Sequence, residues 1–361
     1  MVRSRTLWFA ALLVLLLLAA GCGNTPAGSN NTGDKEPATE QAAGGSEGDQ
    51  AGEDTQQDDK SSSNDAGGQA AAGDSGKGSS AEAQTQTITH AMGDTEVPLH
   101  PERVVVLDNG ALDSVLALGV TPVGAPSIIA VEDGFASYLQ GTESITNIGT
   151  VEQPSLETIA SLTPDVILGL KDTHEAIYEQ LSQIAPTVFT EVGGGQWEAN
   201  LGVYGTVTGK EAEAAQLLED LDAKIAELHS TLGDALETTE VSLLRPRKDR
   251  VSVYLKPGFT GGVAEKVGIK RPALQDRDDD FNFNVTEEQI ADLDGDVIIL
   301  FGRETEQDYF EQKIKTSPLW QTLEAVQNDR VYPADWEVWL SGHGIQAVNL
   351  MIDDYAKFLA Q

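Results

Sequence analysis

Cysteine occurs once in the 361 residues, histidine five times, and lysine plus arginine only 23 times against 58 acidic residues. Each scarcity excludes something. A single cysteine, Cys22, rules out an internal disulfide framework and a thiolate zinc site. The histidines are scattered, at 90, 100, 174, 229 and 343, and offer no metal-ligating cluster of the kind a bare zinc or manganese carrier needs. A formal net charge of −35 makes phosphate-rich partners such as nucleic acid and anionic lipid unfavourable. No strand-to-helix Gly-x-Ser-x-Gly elbow, phosphate loop or His-Glu-x-x-His helix is present, so no enzyme class is indicated. The longest apolar run, Leu7 to Ala20, has 14 residues, short of the ~20 a membrane-spanning helix requires.

That run is preceded by Arg3 and Arg5 and leads through Ala19-Ala20-Gly21 directly into Cys22. A basic n-region, a short apolar h-region and small residues before a cysteine resemble a bacterial lipobox, with Ala19 where leucine is more usual. The resemblance implies export, cleavage, a lipid on the Cys22 thiol and residence on the outer face of the cell membrane. Residues 23–84 contain no aromatic residue and are rich in Gly, Ala, Ser, Gln and acids. Such a composition cannot bury enough apolar surface to offset chain entropy, so an acidic, extended tether is expected, on the order of 40 Å in root-mean-square reach.

The remainder is large enough for two α/β lobes. Short apolar runs of strand type at Arg103–Leu107, Pro122–Ala125, Asp165–Leu170 and Pro186–Phe189 alternate with helical patterns at 112–118, 156–162 and 176–184. This argues for a mainly parallel sheet covered by helices, over 85–207. Ala214, Leu217, Leu218, Leu221, Ile225 and Leu228 then fall at spacings of three and four, which predicts one long helix within 208–233. Strand patterns resume at 241–244, 251–255, 296–301 and 330–332, before an amphipathic helix over 344–359, so a second lobe is expected over 234–361. The fold class is α/β, two Rossmann-like lobes joined by a single long helix.

His100-Pro101-Glu102-Arg103-Val104-Val105, Leu118-Gly119-Val120-Thr121-Pro122-Val123-Gly124, Pro154-Ser155-Leu156-Glu157 and Leu162-Thr163-Pro164-Asp165 are followed by Arg245-Pro246-Arg247, Val285-Thr286-Glu287-Glu288-Gln289-Ile290 and Ser317-Pro318-Leu319-Trp320. In this order and spacing they resemble the iron(III)-siderophore substrate-binding proteins of ABC transporters. The resemblance implies a shallow cleft between the lobes, little closure on binding, and delivery of the ligand to a membrane permease driven by a cytoplasmic ATPase. It also implies a monomer, with no iron ligand from the protein, because the siderophore fills the metal's coordination sphere. Around Leu244–Pro257 the likeness is to receptors for hydroxamate and citrate-hydroxamate siderophores. Haem or cobalamin carriage on the same fold is the alternative, and haem would require an accessible His174 or His343.

Residues two apart in an extended segment share a face, so Arg245 and Arg247 are expected to project together toward an anion, unless both sit on a solvated edge strand. Trp336 and Trp339, between a strand and the Ser341–Gly344 loop, offer indoles for the apolar face of a chelate, one of the two being expected to touch it. Trp197, after Gly193-Gly194-Gly195, is a further candidate, and Trp320 is expected in the core. In the first lobe Asn109 ends a strand at the carboxyl edge where ligands of α/β sheets gather, and Lys171 and His174 follow the strand ending at Leu170. Related sequences often carry arginine before that histidine, where this chain has Thr173, and Arg303 of the second lobe could restore the charge. By the same resemblance Glu157 and Glu288 are the carboxylates that dock on the permease, although each also starts a helix, where an acid is favoured by the dipole.

Overall fold

The computed structural model describes residues 84–128 and 134–360, which fall within one compact unit. Cys22, its leader and the tether up to residue 83 lie outside the described residues. The described chain opens with a hairpin that the sequence pattern did not disclose, β1 (Thr85–His90) and β2 (Gly93–Pro98), paired antiparallel from Thr85↔Pro98 to His90↔Gly93. Its alternation is weak because only Ile88 and Val97 face the interior.

Five strands make the first sheet: β3 (Val104–Val106), β4 (Gly124–Ser127), β5 (Thr146–Thr150), β6 (Val166–Leu170) and β7 (Thr187–Thr190). They are parallel throughout, in the order β5-β4-β3-β6-β7. Burial on both faces explains why β3, β6 and β7 read as unbroken apolar or small runs. The connection expected as one helix over 176–184 is broken into short turns of helix at Lys171–His174, Glu175–Ile177 and Tyr178–Ser182. The breaks fall where His174 (φ −113, ψ 2) and Ile177 (φ −114, ψ 6) leave helical geometry.

The long helix runs Glu211–Leu232, about 33 Å at 1.5 Å per residue. Ala214, Leu221, Leu228 and Leu232 form its buried stripe. It packs closely on the preceding helix, Trp197–Thr208, because Gly205 leaves room for Ala214: a Cβ at 205 would stand 2.8 Å from that of Ala214. Between the helices the chain reverses through Gly209 in the left-handed region, φ 66.

The second sheet is mixed, in the order β10-β9-β8-β11-β12, from β8 (Val241–Pro246), β9 (Val251–Tyr254), β10 (Asn282–Val285), β11 (Val297–Leu300) and β12 (Val331–Pro333). β8, β11 and β12 are mutually parallel, and the β8–β9 and β9–β10 pairs are antiparallel. The final helix, Ile345–Leu359, does not stay with this sheet; it packs on Asn109–Ala117, on Trp197–Thr208 and on the long helix. One core therefore runs through both halves, from Val106, Leu168 and Tyr204 to Val241, Val263 and Trp339, with Ile345, Met351 and Tyr355 between them.

Candidate functional site

Two carboxyl edges meet. Helix Asn109–Ala117 starts at the carboxyl end of β3, and its second residue, Gly110, has no room for a side chain, since a Cβ would lie 2.7 Å from the His343 carbonyl oxygen. His343 belongs to the loop that follows β12 and the short helix Trp336–Trp339. Across the same junction the Glu337 carboxylate accepts from the Ser137 amide and hydroxyl, both at 2.6 Å, and Gly194 lies against Phe259. Ligands of α/β proteins gather at such edges.

On the second-lobe edge three guanidiniums surround one carboxylate. Arg245, near the end of β8, donates from Nη2 (2.9 Å) and Nε (3.3 Å) to Oε2 of Glu306, and from Nη1 to the Tyr254 hydroxyl (3.3 Å). Arg303, just past β11, brings Nη2 to 4.0 Å from Oε1 of Glu306 and lies over the Trp336 ring at 6.0 Å. Arg247 donates from Nε to the Ser252 hydroxyl at 3.3 Å. Burial and the neighbouring charge of Arg245 both lower the pKa of Arg247, so the two arginines do sense one another. Burial alone would raise Glu306, but its hydrogen bond to Arg245 and the charges of Arg245, Arg303 and Arg247 hold it below the usual carboxylate range. Burial works against the Arg245 cation too, and Tyr254 and Glu306 outweigh it. Three cations and one anion leave two unmatched positive charges here.

Glu306 was not anticipated. Its partner Arg245 is 61 residues away, and a pairing of that span leaves no local signal; only the Arg303-x-x-Glu306 spacing hinted at it. Trp336 is half-buried beneath Arg303, whereas Trp339 is completely buried, stacked on Phe301 and donating from Nε1 to Asp354 at 2.8 Å. Of the two indoles only Trp336 is placed to meet a ligand. Trp197 is packed into the shared core and Trp320 against Phe310.

The first-lobe candidates divide differently. His174 is a correction: it is buried, its Nδ1 accepts from the Leu170 amide (3.1 Å) and its Nε2 contacts the Val151 carbonyl (2.9 Å), so both ring nitrogens are occupied in bracing the edge. Lys171 is paired with Glu191 at 3.3 Å. Asn109 keeps a buried Oδ1 without a hydrogen-bond partner, beside the equally unpartnered Oδ2 of Asp108, whose carboxyl is raised by burial. Glu157 and Glu288 are exposed in the first turns of Leu156–Ser161 and Glu287–Leu293.

Among the described residues no three His, Cys, Asp or Glu side chains cluster as a metal site, and no helix is long and apolar enough to cross a membrane. Two open depressions, about 410 and 290 Å³, lie around Lys256. In the larger one Lys256, Lys270 and the buried Arg271 are matched in number by Glu240, Glu265 and Asp276, with Lys256 paired to Asp276 (2.9 Å) and Lys270 to Glu240 (3.1 Å), so it carries no excess of positive charge.

Known proteins share this fold. Residues 104–337 match the family model described as periplasmic binding protein. A probable siderophore-binding lipoprotein of Bacillus subtilis, YfiY, is 33% identical over 303 residues, covering 80% of this chain and 93% of that protein. The Fe(3+)-citrate-binding protein YfmC of the same organism is 29% identical, covering 79% and 89%. The crystal structure of Staphylococcus aureus SirA complexed with staphyloferrin B superposes with a TM-score of 0.69 at 30% identity, covering 76% of this chain and 98% of that one. The two α/β halves, the long helix between them and a match across well over half of the residues lead to one conclusion: the chain belongs to the periplasmic binding protein family.

Proposed function

We propose that this substrate-binding protein, which is not an enzyme, captures an iron(III)-siderophore of the citrate or hydroxamate class outside the cytoplasm and presents it to an ABC permease served by a cytoplasmic ATPase. The observation that carries the reading is the arginine cluster. In a chain of net charge −35, three guanidiniums converge at one sheet edge with a single carboxylate between them, beside a half-exposed indole. A ferric chelate with free carboxylates matches this charge, and guanidinium forks match carboxylate geometry. Iron arrives already coordinated, so the protein supplies no ligand to it. Arg247, Arg303 and Trp336 are the contacts on one side, Asn109 and Lys171 on the other, with Arg245 holding the cluster together. His174 is closed off on both nitrogens, which removes one of the two histidines that haem could use as an axial ligand.

The same reading assigns the flanking roles. Cys22 carries the lipid that tethers the chain to the membrane through residues 23–84, the folded part acts as a monomer, and Glu157 and Glu288 engage the permease from opposite halves. The test is tryptophan fluorescence of the protein titrated with ferric schizokinen, ferrioxamine B, ferric enterobactin, haemin and cobalamin in one buffer. Saturable quenching by a ferric citrate-hydroxamate chelate supports the reading; tight binding of haemin or cobalamin alone overturns the ligand class while keeping the fold.

A further inference from the structure

We propose that Glu306 sets the ligand charge the cleft accepts, acting as a built-in carboxylate that occupies the arginines in place of part of the ligand's own charge and so disfavours strongly anionic chelates. The inference rests on the reading of this site as the ferric-chelate receptor and goes beyond it to selectivity.

Glu306 closes the short turn Glu304–Glu306 immediately beyond β11, which delivers its side chain between the two arginine-bearing segments. The Arg245–Glu306 pair is largely withdrawn from solvent, with side-chain exposures of 7% and 13%, so it is not a surface pair that salt dissolves. Arg245 has five N–H donors, of which two reach Glu306 and one reaches Tyr254. It is thus largely spent on the protein itself. Arg303, 21% exposed and with a buried Nε that has no partner, and Arg247, held only through Nε to Ser252, keep capacity for an incoming anion. Two unmatched positive charges suit a chelate with one or two negative groups. A more heavily charged one meets the repulsion of Glu306 in a site where water screens poorly.

A purely structural role predicts something different. If Glu306 only braced Arg245, neutralising it would loosen the arginine and weaken every ligand alike. If it competes with the ligand's charge, neutralising it favours anionic ligands selectively.

The experiment titrates the full-length chain and its Glu306→Gln variant with ferric schizokinen, a net anion because two hydroxamates and a doubly deprotonated α-hydroxycarboxylate surround iron(III), and with cationic ferrioxamine B, recording the melting temperature of each protein. The expected result is that E306Q raises the preference for ferric schizokinen over ferrioxamine B by about tenfold or more, the size expected for removing one nearby charge at low effective dielectric. An unchanged ratio, or equal losses for both chelates, overturns the proposal. Should E306Q fail to fold, Glu306→Asp keeps the charge but draws it back from Arg245, and the same ratio must then shift by more than the error of measurement, an unchanged ratio again overturning the proposal. Binding of neither chelate by the unaltered protein refutes the ferric-chelate reading itself, and this inference with it; binding by the unaltered protein with no change of ratio refutes only the role of Glu306.

Discussion

Neutralising Asp113 should change how the stability of the protein depends on pH. Asp113 lies in helix Asn109–Ala117 and is fully buried, yet it caps a distant helix: Oδ1 accepts from the Gln346 amide (2.8 Å), and Oδ2 accepts from the Ala347 amide (3.0 Å) and the Tyr138 hydroxyl (2.9 Å). That arrangement ties the first lobe to the start of helix Ile345–Leu359, and Gly344 must be glycine there because a Cβ would sit 2.4 Å from the Asp113 carboxyl. Burial pushes the Asp113 carboxyl up from 3.8 to about 7, against the pull of the two amides and Tyr138. A raised carboxyl holds a proton that the unfolded chain has already released. Its contribution to stability is therefore complete below about pH 4, declines as pH rises, and is gone above about 7. Displacing a pKa by one pH unit corresponds to about 1.4 kcal/mol, so the effect spans roughly 4 kcal/mol. His343, pushed by burial from 6.5 down to about 4, contributes oppositely: its share is present above 6.5 and lost as pH falls to about 4. The difference between unaltered protein and Asp113→Asn isolates the aspartate, since His343 is common to both. Urea unfolding of the two at half-unit steps from pH 4 to 7.5 should give a difference that moves steadily in favour of the variant as pH rises. A difference that stays flat across this window refutes the reasoning.

Three further outcomes are expected. Trp336→Ala should weaken chelate binding about tenfold, whereas Trp339→Phe, which loses the bond to Asp354, should cost about 1–3 kcal/mol in urea unfolding and leave affinity intact. Charge reversal at both Glu157 and Glu288 should abolish iron-siderophore uptake by cells while titration of the isolated protein shows unaltered affinity; weakened affinity would place these residues elsewhere in the mechanism. Cys22→Ser should release the protein from the membrane fraction into the soluble one, measured by immunoblot, and retention in the membrane would rule out the lipid anchor.

Much of the architecture was legible because buried parallel strands announce themselves. Val104–Val106 and Val166–Leu170 stand out as continuous apolar runs, and the seven-residue recurrence of Ala214, Leu221 and Leu228 marks the long helix. The hairpin at 85–98 was not legible, since it presents one buried residue per strand, and neither was the return of the last helix to the first lobe, which depends on Asp113 meeting an amide pair more than 230 residues away. At the site, arginines following strand ends could be picked out by position. What each one does could not. Arg245 is committed to Glu306 and Tyr254 by pairings that lie far apart in sequence or across a hairpin, and the burial of Trp339 depends on Phe301 and Asp354. His174 had the type and place of a contact, but the Leu170 amide, four residues back, and the Val151 carbonyl take both of its nitrogens.

On the proposed reading Arg247 and Arg303 hold an anionic ferric chelate. Isothermal titration of the unaltered protein and an Arg247→Ala/Arg303→Ala double variant, with ferric and with iron-free schizokinen at two salt concentrations, tests it most directly. The expected result is submicromolar binding of the ferric form that weakens with salt and drops roughly 100-fold in the double variant, as follows from losing two charged hydrogen-bonding partners. Binding that is indifferent to both substitutions and to salt would contradict it.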